Sequence, residues 1–124
     1  MTQPLALFLY EKLLPGGQLV NRLQDLGYRV QPLSNPASLV EHAEQEKPLL
    51  VLADIEPHQE QVCVAISSLK HNAATAHIPV IAVSSGTNTG GQAAARDAGA
   101  TLAVSDTAIL VHLSQFLEQA LQVD

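Results

Sequence analysis

Leu49-Leu50-Val51-Leu52-Ala53-Asp54 decides the fold. Five apolar residues in a row read as a strand buried on both faces, the pattern of a central strand in a parallel sheet, and a carboxylate closes it. Open α/β sheets gather their chemistry beyond the carboxyl ends of the strands, which is where Asp54 then stands. Three further candidate strands also end in polar groups: Tyr10 and Glu11, Ser84 and Ser85, Ser105 and Asp106. With the strands parallel, these groups converge on one rim.

Outward from that stretch, apolar runs and helical periodicities alternate. Leu5 to Tyr10 is a first strand, followed by Leu14-Pro15 at a helix start and by Leu19, Val20, Leu23 and Leu26 at helical spacing, with Gly27 as the stop. Tyr28, Val30 and Pro32 alternate with polar residues, and the proline assigns this strand to an edge. Ser34-Asn35-Pro36 caps a helix through Leu39, Val40 and Ala43. After Asp54, Val62, Ala65, Ile66 and Leu69 mark a third helix, and Ile78 to Val83 the next strand. Ser85 to Gly91 reads as a loop, Ala93 to Ala98 as a short helix stopped by Gly99, and Thr101 to Val104 as the last strand. A single final helix carries Ile109, Leu113, Phe116, Leu117 and Ala120. Repeated β/α alternation demands right-handed crossovers and a parallel sheet covered on both faces. The expected architecture is a flavodoxin-like, doubly wound α/β fold with five parallel strands in the order 2-1-3-4-5, in one domain over residues 1–124.

Composition narrows the function. The chain has 124 residues, 47% of them hydrophobic and 15% charged, which fits an ordinary globular domain. A net charge of -6, with no cluster among its six Lys and Arg residues, argues against nucleic-acid binding, which needs cations to neutralise phosphates. Cys63 is the sole cysteine, so an internal disulfide is excluded and a packed thiol is the simple reading. The N-terminus does not look like a signal peptide, and no apolar run approaches the ~20 residues that span a bilayer. A cytoplasmic, soluble protein without membrane contact is expected. His42, His58, His71, His77 and His112 lack ligand spacing, and only His58 falls near Asp54. The glycine spacing from Gly86 to Gly91 suits a phosphate cradle, but Gln92 stands where its lysine is required.

The β/α units, Leu26-Gly27-Tyr28, the strand ending at Asp54, Ile78-Pro79-Val80-Ile81 and Ala98-Gly99-Ala100 together resemble a response-regulator receiver domain. The resemblance covers nearly the whole chain and rests on order and spacing. It implies that Asp54 is the phospho-acceptor and that Ser84 is the hydroxyl engaging the phosphoryl group. It also implies that Glu11, Asp54 and the backbone carbonyl of Glu56 form a weak Mg2+ site, with Tyr10 where a second acid is usual. The departures lie at the family's lysine, which falls on Asp106 followed by Thr107, at its switching aromatic, which falls on Ala103, and at Pro57, one residue closer to Asp54 than the family's proline.

A phosphorylated aspartate carries about -1.5 to -2 charge and needs cations around it. Lysine-to-aspartate turns an attraction into a repulsion, each about 4 kcal/mol at ~4 Å and an effective dielectric near 20. The leading expectation is therefore a stand-alone receiver-like signalling domain of a two-component or phosphorelay system, without an output domain or catalytic residues. It would act through protein contacts, with degenerate phosphorylation chemistry at Asp54. A fully phosphorylatable single-domain response regulator is the alternative; from another class, a flavodoxin-like small-ligand or nucleotide-binding protein. The partner implied is a histidine kinase, a phosphotransfer protein or another signalling protein.

Overall fold

The computed structural model describes residues 4–10, 13–56 and 58–121. In chain order the elements are β1 (Leu5–Leu9), α1 (Leu13–Asp25), β2 (Arg29–Leu33), a 3-10 turn (Pro36–Ser38), α2 (Leu39–Glu46), β3 (Leu50–Asp54), α3 (Gln59–Lys70), β4 (Val80–Ser84), α4 (Thr89–Ala98), β5 (Leu102–Ser105), α5 (Asp106–Val111) and α6 (Leu113–Leu121). The strands form one five-stranded sheet in the order β2-β1-β3-β4-β5, and every neighbouring pair is parallel. This is the expected flavodoxin-like order, with the switch point between β1 and β3.

Burial on both faces explains the unbroken apolar strands. Leu7, Val51, Ala53, Val80, Ala82 and Ala103 pack towards α2, α3 and α4, where Leu39, Ile66, Leu69 and Ala95 meet them. Phe8, Leu50, Leu52, Ile81 and Val83 pack on the other face against Leu19 and Leu23 of α1, Ile109 of α5 and Leu113 and Leu117 of α6. Pro32 pairs in register with Phe8 but lies on the edge strand β2, so its missing N–H breaks no ladder on the far side. Asn35 accepts the Ala37 N–H at 3.0 Å, so the expected cap forms, but it opens the 3-10 turn before α2 proper.

Two elements differ from the expectation. α4 begins at Thr89, four residues before Ala93, because Asn88 caps it by accepting the Gly91 N–H at 2.9 Å. The final helix is interrupted at His112, whose backbone (φ -116, ψ 29) leaves the helical region, giving α5 and α6 in place of one helix. Ile109, Leu113, Leu117 and Ala120 nevertheless all stay buried, so the apolar stripe survives the break.

Gly99 stops α4 in the left-handed region (φ 117), and a Cβ there would come within 2.7 Å of the Lys70 Cγ. Lys70 in turn donates from Nζ to the Ile78 carbonyl at 2.7 Å, and burial lowers its pKa. Gly99→Ala is expected to cost about 1–2 kcal/mol, from the left-handed conformation together with displacement of the Lys70 stem. Urea unfolding of parent and variant measures this; an unchanged midpoint would contradict it.

Candidate functional site

The carboxyl ends of β1, β3, β4 and β5 form the rim that the sequence points to. Asp54 is the last residue of β3 and is half-buried. Its Oδ1 accepts the Glu56 N–H at 3.0 Å, a local turn that fixes one edge of the carboxylate. A cavity of about 10 Å³ beside it is lined by Leu9, Tyr10, Ser34, Pro36, Asp54, His58 and Val62. The structure therefore brings Tyr10 and His58 to Asp54. Tyr10 is held by its ring contact with Phe8, with centroids 4.5 Å apart.

Ser84 ends β4 and is buried, its hydroxyl donating to the Ser85 carbonyl at 3.2 Å. It stands opposite Ser105 in the β4–β5 register, whereas Asp54 stands opposite Val83. Ser84 is thus on the rim but does not line the Asp54 cavity.

Asp106 is the first residue of α5, and its Oδ1 accepts the Thr107 N–H at 2.8 Å. Ser105 is the N-cap, its Oγ accepting the Ala108 N–H at 3.1 Å. The position where the resemblance places a lysine is therefore built as the start of a helix, where an acid is favoured by the exposed N–H groups and by the helix dipole. Among the described residues no Lys or Arg lines the Asp54 cavity.

Glu11 and Pro57 lie outside the described residues. The Glu56 carboxylate accepts from Asn88 Nδ2 at 2.8 Å. Mg2+ demands near-octahedral oxygen coordination. Among the described residues no group of three His, Cys, Asp or Glu side chains is placed to hold a metal ion. The donors described at this rim, the Asp54 carboxylate and the Glu56 carbonyl, do not by themselves fit that ion.

The structure also bears on several sequence readings. Among the described residues the cavity at the β1/β3 switch point is far below the ~300 Å³ at which small-molecule sites begin. Gly90 and Gly91 lie inside the first turn of α4 and do not form an open phosphate loop. What sequence reasoning missed is the side-chain cluster of Glu56, Gln59 and Asn88, for which the one signal was an asparagine standing before a helix start.

No protein-family model matches the chain, and no curated protein matches it by sequence. Solved structures do match. The receiver domain of a Pseudomonas aeruginosa sensor histidine kinase, with a magnesium ion coordinated in its active-site cleft, superposes with a TM-score of 0.83 at 18% identity, covering 97% of this chain and 98% of that one. The BeF3-activated N-terminal receiver domain of Klebsiella pneumoniae RstA gives 0.82 at 18% identity, over 96% and 99% of the two chains. The fold is that of receiver domains.

The receiver domain of a Desulfovibrio desulfuricans diguanylate cyclase gives 0.76 at 20% identity, over 97% and 94%. At such identities the likeness extends to the receiver fold and does not reach individual side chains. Cys63, on α3 of this receiver fold, packs partly against the core, and burial pushes its thiol pKa up. A raised pKa means less thiolate at a given pH. Cys63 is therefore expected to react with a thiol reagent at about pH 8 more slowly than a free cysteine, the rate still climbing above about pH 9. Parity with the free thiol would contradict this.

Proposed function

We propose that this chain is a receiver-type signalling domain of a two-component or phosphorelay system, working by protein contact, with phosphoryl chemistry at Asp54 degenerate. The observation that carries the reading is Asp106. The resemblance puts the family's lysine position at Asp106, whose carboxylate accepts the Thr107 N–H at the start of α5. A phosphoryl group at Asp54 would add roughly two negative charges to a rim where no described Lys or Arg lines the cavity.

The partner would be a histidine kinase, a phosphotransfer protein or another signalling protein, and the domain itself would not be an enzyme. Among the described residues no helix is long and apolar enough to cross a membrane, which fits a cytoplasmic setting. Mg2+, if it binds, would do so weakly, through Asp54, the Glu56 carbonyl and Glu11. A fully phosphorylatable response regulator is favoured by one arrangement, Asp54 and Ser84 ending adjacent strands of the sheet.

Intact mass after incubation with a small phosphodonor and Mg2+ separates the two. The parent chain is expected to remain at its own mass, as is Asp54→Asn. Stoichiometric gain of one phosphoryl group, abolished in Asp54→Asn, would overturn the degenerate reading in favour of the phosphorylatable one.

A further inference from the structure

Asn88 stands four residues beyond the end of β4 and uses every polar atom of its side chain. Its Oδ1 accepts the Gly91 N–H at 2.9 Å, capping α4. Its Nδ2 donates to Glu56 Oε2 at 2.8 Å and to Gln59 Oε1 at 3.1 Å. One side chain thus ties the first turn of α4 to the loop after β3 and to the first turn of α3. The bond to Glu56 is to a charged acceptor, the stronger kind.

The sequence bears a cost for this arrangement. Glycine in a helix is unfavourable by roughly 1 kcal/mol against alanine. At Gly90 a Cβ would meet nothing within 4 Å, so packing does not require that glycine. At Gly91 a Cβ would run into the Asn88 amide and come within 2.8 Å of Gln59 Oε1. Gly91 is therefore the residue that leaves the Asn88 side chain its place. A local rule broken with an evident compensation marks a contact the fold depends on.

The Asn88–Glu56 bond continues to Asp54. The Glu56 side chain is held by Asn88, and its backbone N–H is given to Asp54 Oδ1. We propose that Asn88 is a positioning residue for the Asp54 site, a clasp that couples the Asp54 carboxylate to the first turn of α4 through Glu56. A change at Asp54 that withdraws Oδ1 from the Glu56 N–H frees the loop, loosens the Glu56 carboxylate on Asn88 and so loosens the α4 cap. The same coupling runs in reverse, because linkage between two sites is reciprocal. As a route for regulation it rests on the proposed receiver function; as a hydrogen-bonded coupling it stands on the distances alone.

Residue-resolved amide exchange by NMR tests it without any phosphoryl transfer. Asn88→Asp keeps an oxygen to cap the Gly91 N–H but sets a carboxylate against Glu56. In that variant the Glu56 amide is expected to exchange about three- to tenfold faster, the factor that loss of one hydrogen bond implies. Asp54→Ala is expected to speed the Gly91 amide by a similar factor. Glu56→Gln, whose carbonyl oxygen still accepts from Asn88, keeps both amides near parent rates, whereas Glu56→Ala speeds Gly91. Should Asn88→Asp fail to fold, Glu56→Ala breaks the clasp from an exposed position, and the Gly91 amide reads the same coupling. Parent-rate exchange of the Glu56 amide in folded Asn88→Asp, or of the Gly91 amide in Asp54→Ala or Glu56→Ala, overturns the coupling. Failure of the receiver reading itself would appear elsewhere, in a phosphodonor reaction that does not depend on Asp54, and would leave these exchange rates untouched.

Discussion

Asp106→Lys is expected to increase phosphoryl uptake at Asp54 by at least about tenfold while lowering the stability of the domain. The gain follows from charge. Removing a carboxylate and adding an ammonium changes the potential at the rim by two unit charges, each worth about 4 kcal/mol at ~4 Å with an effective dielectric near 20. Solvation of a half-buried position screens much of that, and tenfold corresponds to only about 1.4 kcal/mol surviving. The loss follows from where Asp106 sits. As the first residue of α5 it accepts the Thr107 N–H and places negative charge at a helix N-terminus. Lysine there forgoes that bond and opposes the dipole, at a cost of about 1–2 kcal/mol. For a domain of this size that is a fall of several degrees in Tm. Phosphodonor kinetics and a thermal melt on one preparation measure both effects. Higher uptake with an unchanged Tm would mean that the α5 start does not need the acid.

Phe8→Ala is expected to be the most destabilising single change, at about 3–5 kcal/mol. Phe8 is 1% exposed, on the face of β1 that packs against α1, α5 and α6. Its removal leaves a cavity between the sheet and those helices. It also removes the ring that supports Tyr10, which lines the Asp54 cavity. A loss of that size is a large share of the roughly 5–15 kcal/mol typical of a domain, so partial unfolding near body temperature is expected. Phe8→Leu, which refills most of the volume, should recover most of the stability. Chemical denaturation gives the numbers, and a loss below about 1 kcal/mol would show that the site collapses around the missing ring.

The strands and their order were legible in the sequence because a parallel sheet covered on both faces leaves unbroken apolar runs, and because chain topology permits few orders. Pro32 announced an edge, and β2 is one. The start of α4 was not legible, because Gly90-Gly91 carries the composition of a loop. It becomes a helix through contacts of Asn88 with Glu56 and Gln59, 32 and 29 residues away in sequence. The break at His112 has no signature either, since the apolar spacing of Ile109, Leu113 and Leu117 continues through it.

At the site, the sequence supplied the positions, and the structure adds the local hydrogen bonds around them. Asp54, Ser84 and Asp106 could be placed at strand ends from the apolar runs before them. That Ser105 caps α5, with Asp106 as its first residue, depends on how soon the helix follows β5, which hydropathy does not encode. His58 could be placed near Asp54 from chain proximity, whereas Tyr10 meets it only through the β1–β3 pairing.

Binding of beryllofluoride, a phosphoryl mimic, tests the degenerate-receiver account most directly. Fluorine NMR of the parent, Asp106→Lys and Asp54→Asn at the same beryllium, fluoride and Mg2+ concentrations reports whether the mimic sits on Asp54. The account predicts a bound signal in Asp106→Lys, little or none in the parent, and none in Asp54→Asn. A bound signal of equal strength in the parent and in Asp106→Lys, lost in Asp54→Asn, would show that Asp54 works without the lysine and would contradict it.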